Sequence, residues 1–275
     1  MYFVRFVLFC ADTINEFLNK NCAHVAGAIA FYALFSFFPL VLAIISIAGF
    51  VQGSEAEQTR LAQDIAEVVP ISTDFISKTV EGVVRARTIT GIASVLGLLW
   101  AASAAFGAIR KGINLAWGIN KTRPFLRERL MDVTLVLGAG VMMMVFLFIT
   151  PIFAFLREIT DAIEPRGYVI TDVFWSIAPQ ILTPIISFIT FLMLYRFLPN
   201  TKVSIGDVWL GSIGATAAFE GTKWGFIWYV TTFPVYNIIY GAVGAIMALL
   251  TWVYVSAIIL LFGALVTSHY ASYPY

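Results

Sequence analysis

VWLGSIGATAAFEGTKWGFIWYV, residues 208–230, is apolar, aromatic and glycine-rich along its whole length except at Glu220 and Lys223. As a helix, a run of this length crosses ~30 Å of hydrocarbon. Read that way, it carries two full charges at membrane depth, where ionisable groups are costly and mark functional positions by default. Positions i and i+3 share a helix face, with Cβ atoms ~5–6 Å apart. Glu220 and Lys223 can therefore neutralise each other, or each can reach a partner on another span. Arg110, His24 and Asn114 are the candidate partners.

The rest of the chain makes the membrane reading general. Of its 275 residues, 60% are hydrophobic and 12% charged. Soluble domains carry about 25% charged residues, so there is too little polar surface here to cover a water-exposed globule. Several runs reach the length of a membrane span. Strands of a membrane barrel would alternate over about ten residues instead of staying uniformly apolar. The expected fold is thus an all-α integral membrane protein, one membrane domain over residues 1–275. The formal net charge of +1 gives no global field that would draw nucleic acid. Cys10 and Cys22 read as free reduced thiols. The apolar start resembles a signal peptide, but Asp12 and Glu16 interrupt it and no small-residue cleavage site follows.

Six spans are expected, at about Ala23–Val51, Thr90–Trp117, Met131–Leu156, Val173–Leu198, Ile205–Val230 and Tyr236–Ser268. Ahead of them, residues 1–20 read as a helix lying in the membrane interface. Phe3, Val7, Ala11, Ile14 and Leu18 form its apolar stripe, opposite Arg5, Asp12, Glu16 and Asn19. Residues 52–88 form the one long extramembrane insert. Leu61, Ile65 and Val68 make one stripe, and Phe75, Thr79 and Val83 another, with Pro70 between. Two amphipathic helices at the outer mouth of the bundle are expected. Lys and Arg concentrate in the N-terminus and in the loops after spans two and four, which places both termini in the cytoplasm.

The basic cluster Arg110, Lys111, Lys121, Arg123, Arg127 and Arg129 sets topology and also suits contact with anionic lipid headgroups, at ~1 kcal/mol per residue. RNA is disfavoured, because only Phe125 and Trp117 lie close enough to stack on bases. The acids Asp12, Glu16, Glu128, Asp132 and Asp207 are scattered over different segments, and no metal-ligand spacing, phosphate loop or nucleophile elbow is present. No enzyme, metal or cofactor is expected. Gly97, Ala101 and Ala105, then Gly211 and Ala215, then Gly221 and Gly225, recur at a four-residue spacing that lets helix backbones approach. Pro39, Pro179 and Pro184 mark candidate kinks, which serve either packing or a cavity.

Phe219-Glu220-x-x-Lys223-x-x-Phe226-x-x-Tyr229 continues into Phe233-Pro234-x-Tyr236-x-x-Ile239-Tyr240-Gly241. With Tyr195-Arg196-Phe197-Leu198-Pro199-Asn200, and with Tyr32, Ser36 and Pro39 in span one, this resembles the YihY/BrkB family of bacterial inner-membrane proteins over about Asn21–His269. The resemblance implies six transmembrane helices and an inner-membrane location. It carries an old ribonuclease label, against which the lack of clustered metal ligands argues, and a link to export of lipid or lipopolysaccharide precursor. On that reading Glu220, Lys223, Tyr229, Tyr240, Asn114 and Arg110 line a pathway for a lipid or other amphiphile. The other class of function is a non-transporting envelope scaffold that docks a partner through the outer insert. The resemblance departs at Leu265, where members of the family commonly carry a glutamate. Without that glutamate, Glu220 and Lys223 are expected to be the only carboxylate and amine deep in the bundle.

Overall fold

The computed structural model describes residues 2–36, 87–119, 124, 126–138, 141, 155, 158, 169–232 and 235–272. Its elements are helices: α1 (Tyr2–Asn19), α2 (Cys22–Ser36), α3 (Arg87–Ala116), α4 (126–138), α5 (Val169–Phe197), α6 (Ile205–Thr232) and α7 (Val235–Ser272). Spans expected from Thr90, Val173, Ile205 and Tyr236 thus coincide with helices to within a few residues. Within α7, Ile246–Ser272 has a mean hydropathy of 2.4 over 27 residues and is long and apolar enough to cross a membrane. The insert at residues 52–86 and the later part of span one, with Pro39, lie outside the described residues.

Local chemistry sets the helix ends. Gly118 adopts φ +66°, which a side chain would disfavour. Its N–H donates to the Leu115 carbonyl at 3.0 Å, and that of Ile119 to the Asn114 carbonyl at 2.8 Å. This glycine-dependent double bond closes α3. Lys20 donates to the Ala116 carbonyl at 2.7 Å, placing a cation on the negative end of the α3 dipole. Ser204 starts α6: its hydroxyl faces the Gly206 N–H, and Asp207 accepts from the Ser204 N–H at 2.9 Å. That reciprocal arrangement is a capping box.

α7 is the hub, packing against α1, α3, α5 and α6. The core holds Ile113 of α3, Tyr195 of α5, Val208 and Ala215 of α6, and Leu261, Ala264 and Leu265 of α7. The Tyr195 hydroxyl, fully buried, donates to the Leu260 carbonyl at 2.9 Å. A Cβ on Gly263 would fall on that hydroxyl and 2.9 Å from the Ala215 methyl, and one on Gly211 would come within 2.8 Å of the Gly263 carbonyl. The expected close packing at Gly211 and Ala215 is therefore present. At Gly97, Gly221 and Gly225, no atom of the described residues lies within 4 Å of where a Cβ would be. Spacing alone does not say which face of a helix meets a neighbour.

In α1, Ala11, Ile14 and Leu18 of the apolar stripe are exposed, Leu18 by 62%. Docking uses Phe9, Thr13, Glu16 and Phe17. The Phe9 ring meets the His269 ring edge-on at 5.8 Å, and Phe17 meets Phe262 at 6.0 Å. His269 presents Nδ1 to the Thr13 hydroxyl at 3.0 Å and Nε2 to Glu16. Glu16, on the face opposite the apolar stripe, meets His269 and Lys20. A helix at a membrane surface can leave its apolar stripe to lipid and dock through its polar face.

Two outcomes are expected. Gly263→Val forces α5 and α6 away from α7, which costs about 1–3 kcal/mol and lowers the melting temperature in detergent, whereas Gly221→Ala leaves it unchanged. For Glu16, burial alone would raise the carboxyl, but hydrogen bonds and charge from Lys20 and His269 outweigh it and hold the carboxyl below its ordinary value of 4.5. A lowered folded value stabilises docking above the ordinary carboxylate range, and the contribution fades as pH falls through it. Hydrogen exchange of the α1 amides should accelerate below about pH 4 in the native chain, and already at neutral pH in Glu16→Gln.

Candidate functional site

Glu220 and Lys223 sit near the middle of α6 and do pair, the lysine ammonium donating to Glu220 Oε2. Ser187 of α5 donates to the other carboxylate oxygen at 3.0 Å. Phe219 meets Phe191 and Trp252 at 5.8 and 5.5 Å, and Phe226 meets Trp252 at 5.1 Å, so rings flank the pair on the α5 and α7 side. With both oxygens engaged, this carboxylate is satisfied by one residue of its own helix and one of the next. Tyr229 is 38% exposed. Tyr240 lies in α7, with its side chain outside the described residues.

Arg110, Asn114 and His24 do not serve this pair. Arg110 is engaged instead by α4, which sequence reading missed. Its Nε donates to Asp132 Oδ1 at 3.0 Å, Nη2 approaches Asp132 Oδ2 at 3.4 Å, and Nη1 donates to Glu128 Oε1 at 2.8 Å. The Arg110 and Asp132 side chains are only 5% and 7% exposed, deeper than Lys223 and Glu220 at 27% and 14%. Glu220 and Lys223 are thus not the most buried ion pair among the described residues. Asp132 lies against Gly107, its Oδ2 3.4 Å from where a Cβ would stand. Asn114 ties the turn after α5 to α3, accepting from the Asn200 N–H at 2.7 Å and donating to the Arg110 carbonyl.

Beside this cluster, α2, α3 and α4 line an open cleft of about 620 Å³. Its lining combines apolar residues, Val25, Ala28, Ala104 and Ala108, with charged ones, Arg110, Lys111, Arg129, Glu128 and Asp132. Of the expected headgroup contacts, Lys111 and Arg129 line this cavity and Arg127 is exposed beside it on α4. Lys121 and Arg123 fall outside the described residues. Glu128 and Asp132 were legible as an i, i+4 pair on one helix face, but nothing in the spacing says that the face meets Arg110. Among the described residues, no group of three or more His, Cys, Asp or Glu is placed to hold a metal ion.

A double-variant cycle reads the α6 pair. Glu220→Gln or Lys223→Met alone leaves one charge unpaired, which costs about 3 kcal/mol. The double variant should recover most of that loss in unfolding measurements.

Residues 13–273 match the family model described as virulence factor BrkB. A UPF0761 membrane protein of Aliivibrio fischeri is 32% identical over 264 residues, covering 92% of this chain and 81% of its own length. One from Pseudoalteromonas translucida is 31% identical over 271 residues, covering 93% and 83%. One from Alteromonas mediterranea is 30% identical over 256 residues, covering 91% and 83%. No solved structure matches the chain.

Proposed function

This chain belongs to the virulence factor BrkB family of membrane proteins, and we propose that it moves a lipid or another amphiphile across or within the bacterial inner membrane. The observation that carries the reading is the cleft between α2, α3 and α4, whose lining joins apolar side chains to a cluster of charges. An amphiphile presents the same two chemistries: a chain that prefers hydrocarbon and a head that needs ionic partners. On this reading the chain has six spans and keeps both termini in the cytoplasm. The ends of α1, α3, α5 and α7 support a common side, because Lys20 caps α3, Asn114 of α3 holds the turn after α5, and His269 holds α1. Lys111, Arg127 and Arg129 would gather anionic headgroups from the adjoining leaflet, at ~1 kcal/mol each, phospholipid or lipopolysaccharide precursor being the candidate cargo. Residues 52–88 would govern release at the opposite face. No catalytic step is assigned, and no nucleic acid.

The satisfied state of Glu220 favours a second reading for that pair. With both oxygens bonded to Ser187 and Lys223, the pair would hold α5 to α6 and not line the pathway. A non-transporting scaffold is the alternative for the whole chain.

Reconstitution into liposomes with fluorescent phospholipids tests the transport reading. Lipid should exchange between leaflets faster than in empty vesicles, and Ala104→Trp, which fills the cavity, should slow the exchange about tenfold or more, as expected when a pre-formed pocket is occluded. Exchange no faster than in empty vesicles, for every headgroup, leaves the scaffold reading, which predicts that the Glu220→Gln, Lys223→Met double variant works and that deletion of residues 52–86 does not.

A further inference from the structure

We infer that the Arg110 cavity recognises a monoanionic phosphodiester, the linkage that joins glycerol to headgroup in a phospholipid; this rests on the amphiphile-handling reading. A guanidinium offers five N–H groups. Asp132 and Glu128 engage Nε and one hydrogen on each of Nη1 and Nη2, so a second hydrogen on each terminal nitrogen stays uncommitted among the described residues. Arg110 is nevertheless 4% exposed, and the solvent-sized space it meets is the cavity. Buried N–H donors are costly when unmet. A ligand with two acceptor oxygens on one centre fits that end of the guanidinium, and phosphate and carboxylate geometries are the ones that match it.

Charge selects between ligands. Among the described lining residues, Arg110, Lys111 and Arg129 stand against two carboxylates, Glu128 and Asp132, a surplus of one positive charge. One negative charge balances the site. A dianionic monoester overshoots, and the two resident carboxylates repel it. A zwitterionic head leaves the surplus in place. The carboxylates have a second effect: they fix the guanidinium plane before a ligand arrives, so little ordering is left to lose on binding. Val25, Ala28, Ala104 and Ala108 line the same space and would take the glycerol and the first chain methylenes.

Glu128 therefore tempers the site, and removing its charge should tighten binding. The test uses the full chain in detergent, with thermal stabilisation read against added ligand. The ligands are short-chain phosphatidylglycerol, short-chain phosphatidylcholine, water-soluble glycerophosphoglycerol and inorganic phosphate. Phosphatidylglycerol should stabilise with a saturating midpoint lower than that of phosphatidylcholine. Glu128→Gln should lower that midpoint roughly threefold and Lys111→Gln raise it by a similar factor, as expected for one charge near a surface. Arg110→Gln should abolish the preference, but it leaves Asp132 unpartnered and can fail to fold, so the first two variants decide. Saturation by the lipid alone supports a membrane source. Equal midpoints for lipid and soluble diester support the same chemistry from a soluble source. Equal midpoints for the two lipids, no shift in Glu128→Gln, or tighter binding of inorganic phosphate than of either diester overturns the inference. Leaflet exchange separates the two claims: exchange without headgroup preference keeps transport and rejects this site, and preference without exchange keeps the site and rejects transport.

Discussion

At Gly263 the backbone of α7 lies against the Tyr195 hydroxyl of α5 and the Ala215 methyl of α6, with no room for a Cβ. In hydrocarbon, apolar side chains gain little by leaving lipid for one another. Association depends on close backbone approach and on hydrogen bonds between helices. Gly263 supplies the first and the Tyr195–Leu260 bond the second. The other contacts of α7 follow from where this crossing holds it. Leu261 packs over Gly112 of α3, and His269 receives α1 through Thr13 and Glu16. The position of α3, and with it that of Arg110, is referred to the same crossing.

The described helices solve the cost of buried charge in two ways. Glu220 and Lys223 are three residues apart on one helix, so their pairing needs only that α6 be helical, with Ser187 added by α5. Arg110 and Asp132 lie on different helices and pair only if α3 and α4 are brought together at Gly107. The first pair was legible in the sequence for that reason. The second was not: Glu128 and Asp132 looked like isolated acids in a basic stretch, because a charge partner twenty or so residues away on another helix leaves no periodic signal.

The same distinction separates what else could be read. Helix positions followed from apolar run length, a local property of the chain, and α3, α5, α6 and α7 fall where the runs place them. Which face of each helix is covered is not local. Gly211 and Gly221 carry the same small-residue signal, yet one sits under Gly263 and the other meets no atom of the described residues within 4 Å. In α1 the polar face was legible from its spacing, and what it docks on was not, because the partner of Glu16 is His269, 253 residues away.

A buried ion pair is weak support for stability, since apolar residues of similar volume serve as well or better. That weakens any account of Arg110, Asp132 and Glu128 as packing alone. α3 and α4 could meet at Gly107 through apolar side chains at lower cost in desolvation. What such side chains would not give is a fixed array of N–H donors beside an apolar lining. Leu265 bears on the same point. It is fully buried in the same core cluster as Tyr195, Val208 and Leu261, so the α7 face toward α5 and α6 is apolar there. The deepest ion pair among the described residues is therefore at the α3–α4 contact, beside the cavity. Charge that is expensive to keep and poor as a structural device is best understood by what it faces, and Arg110 faces space large enough for a headgroup.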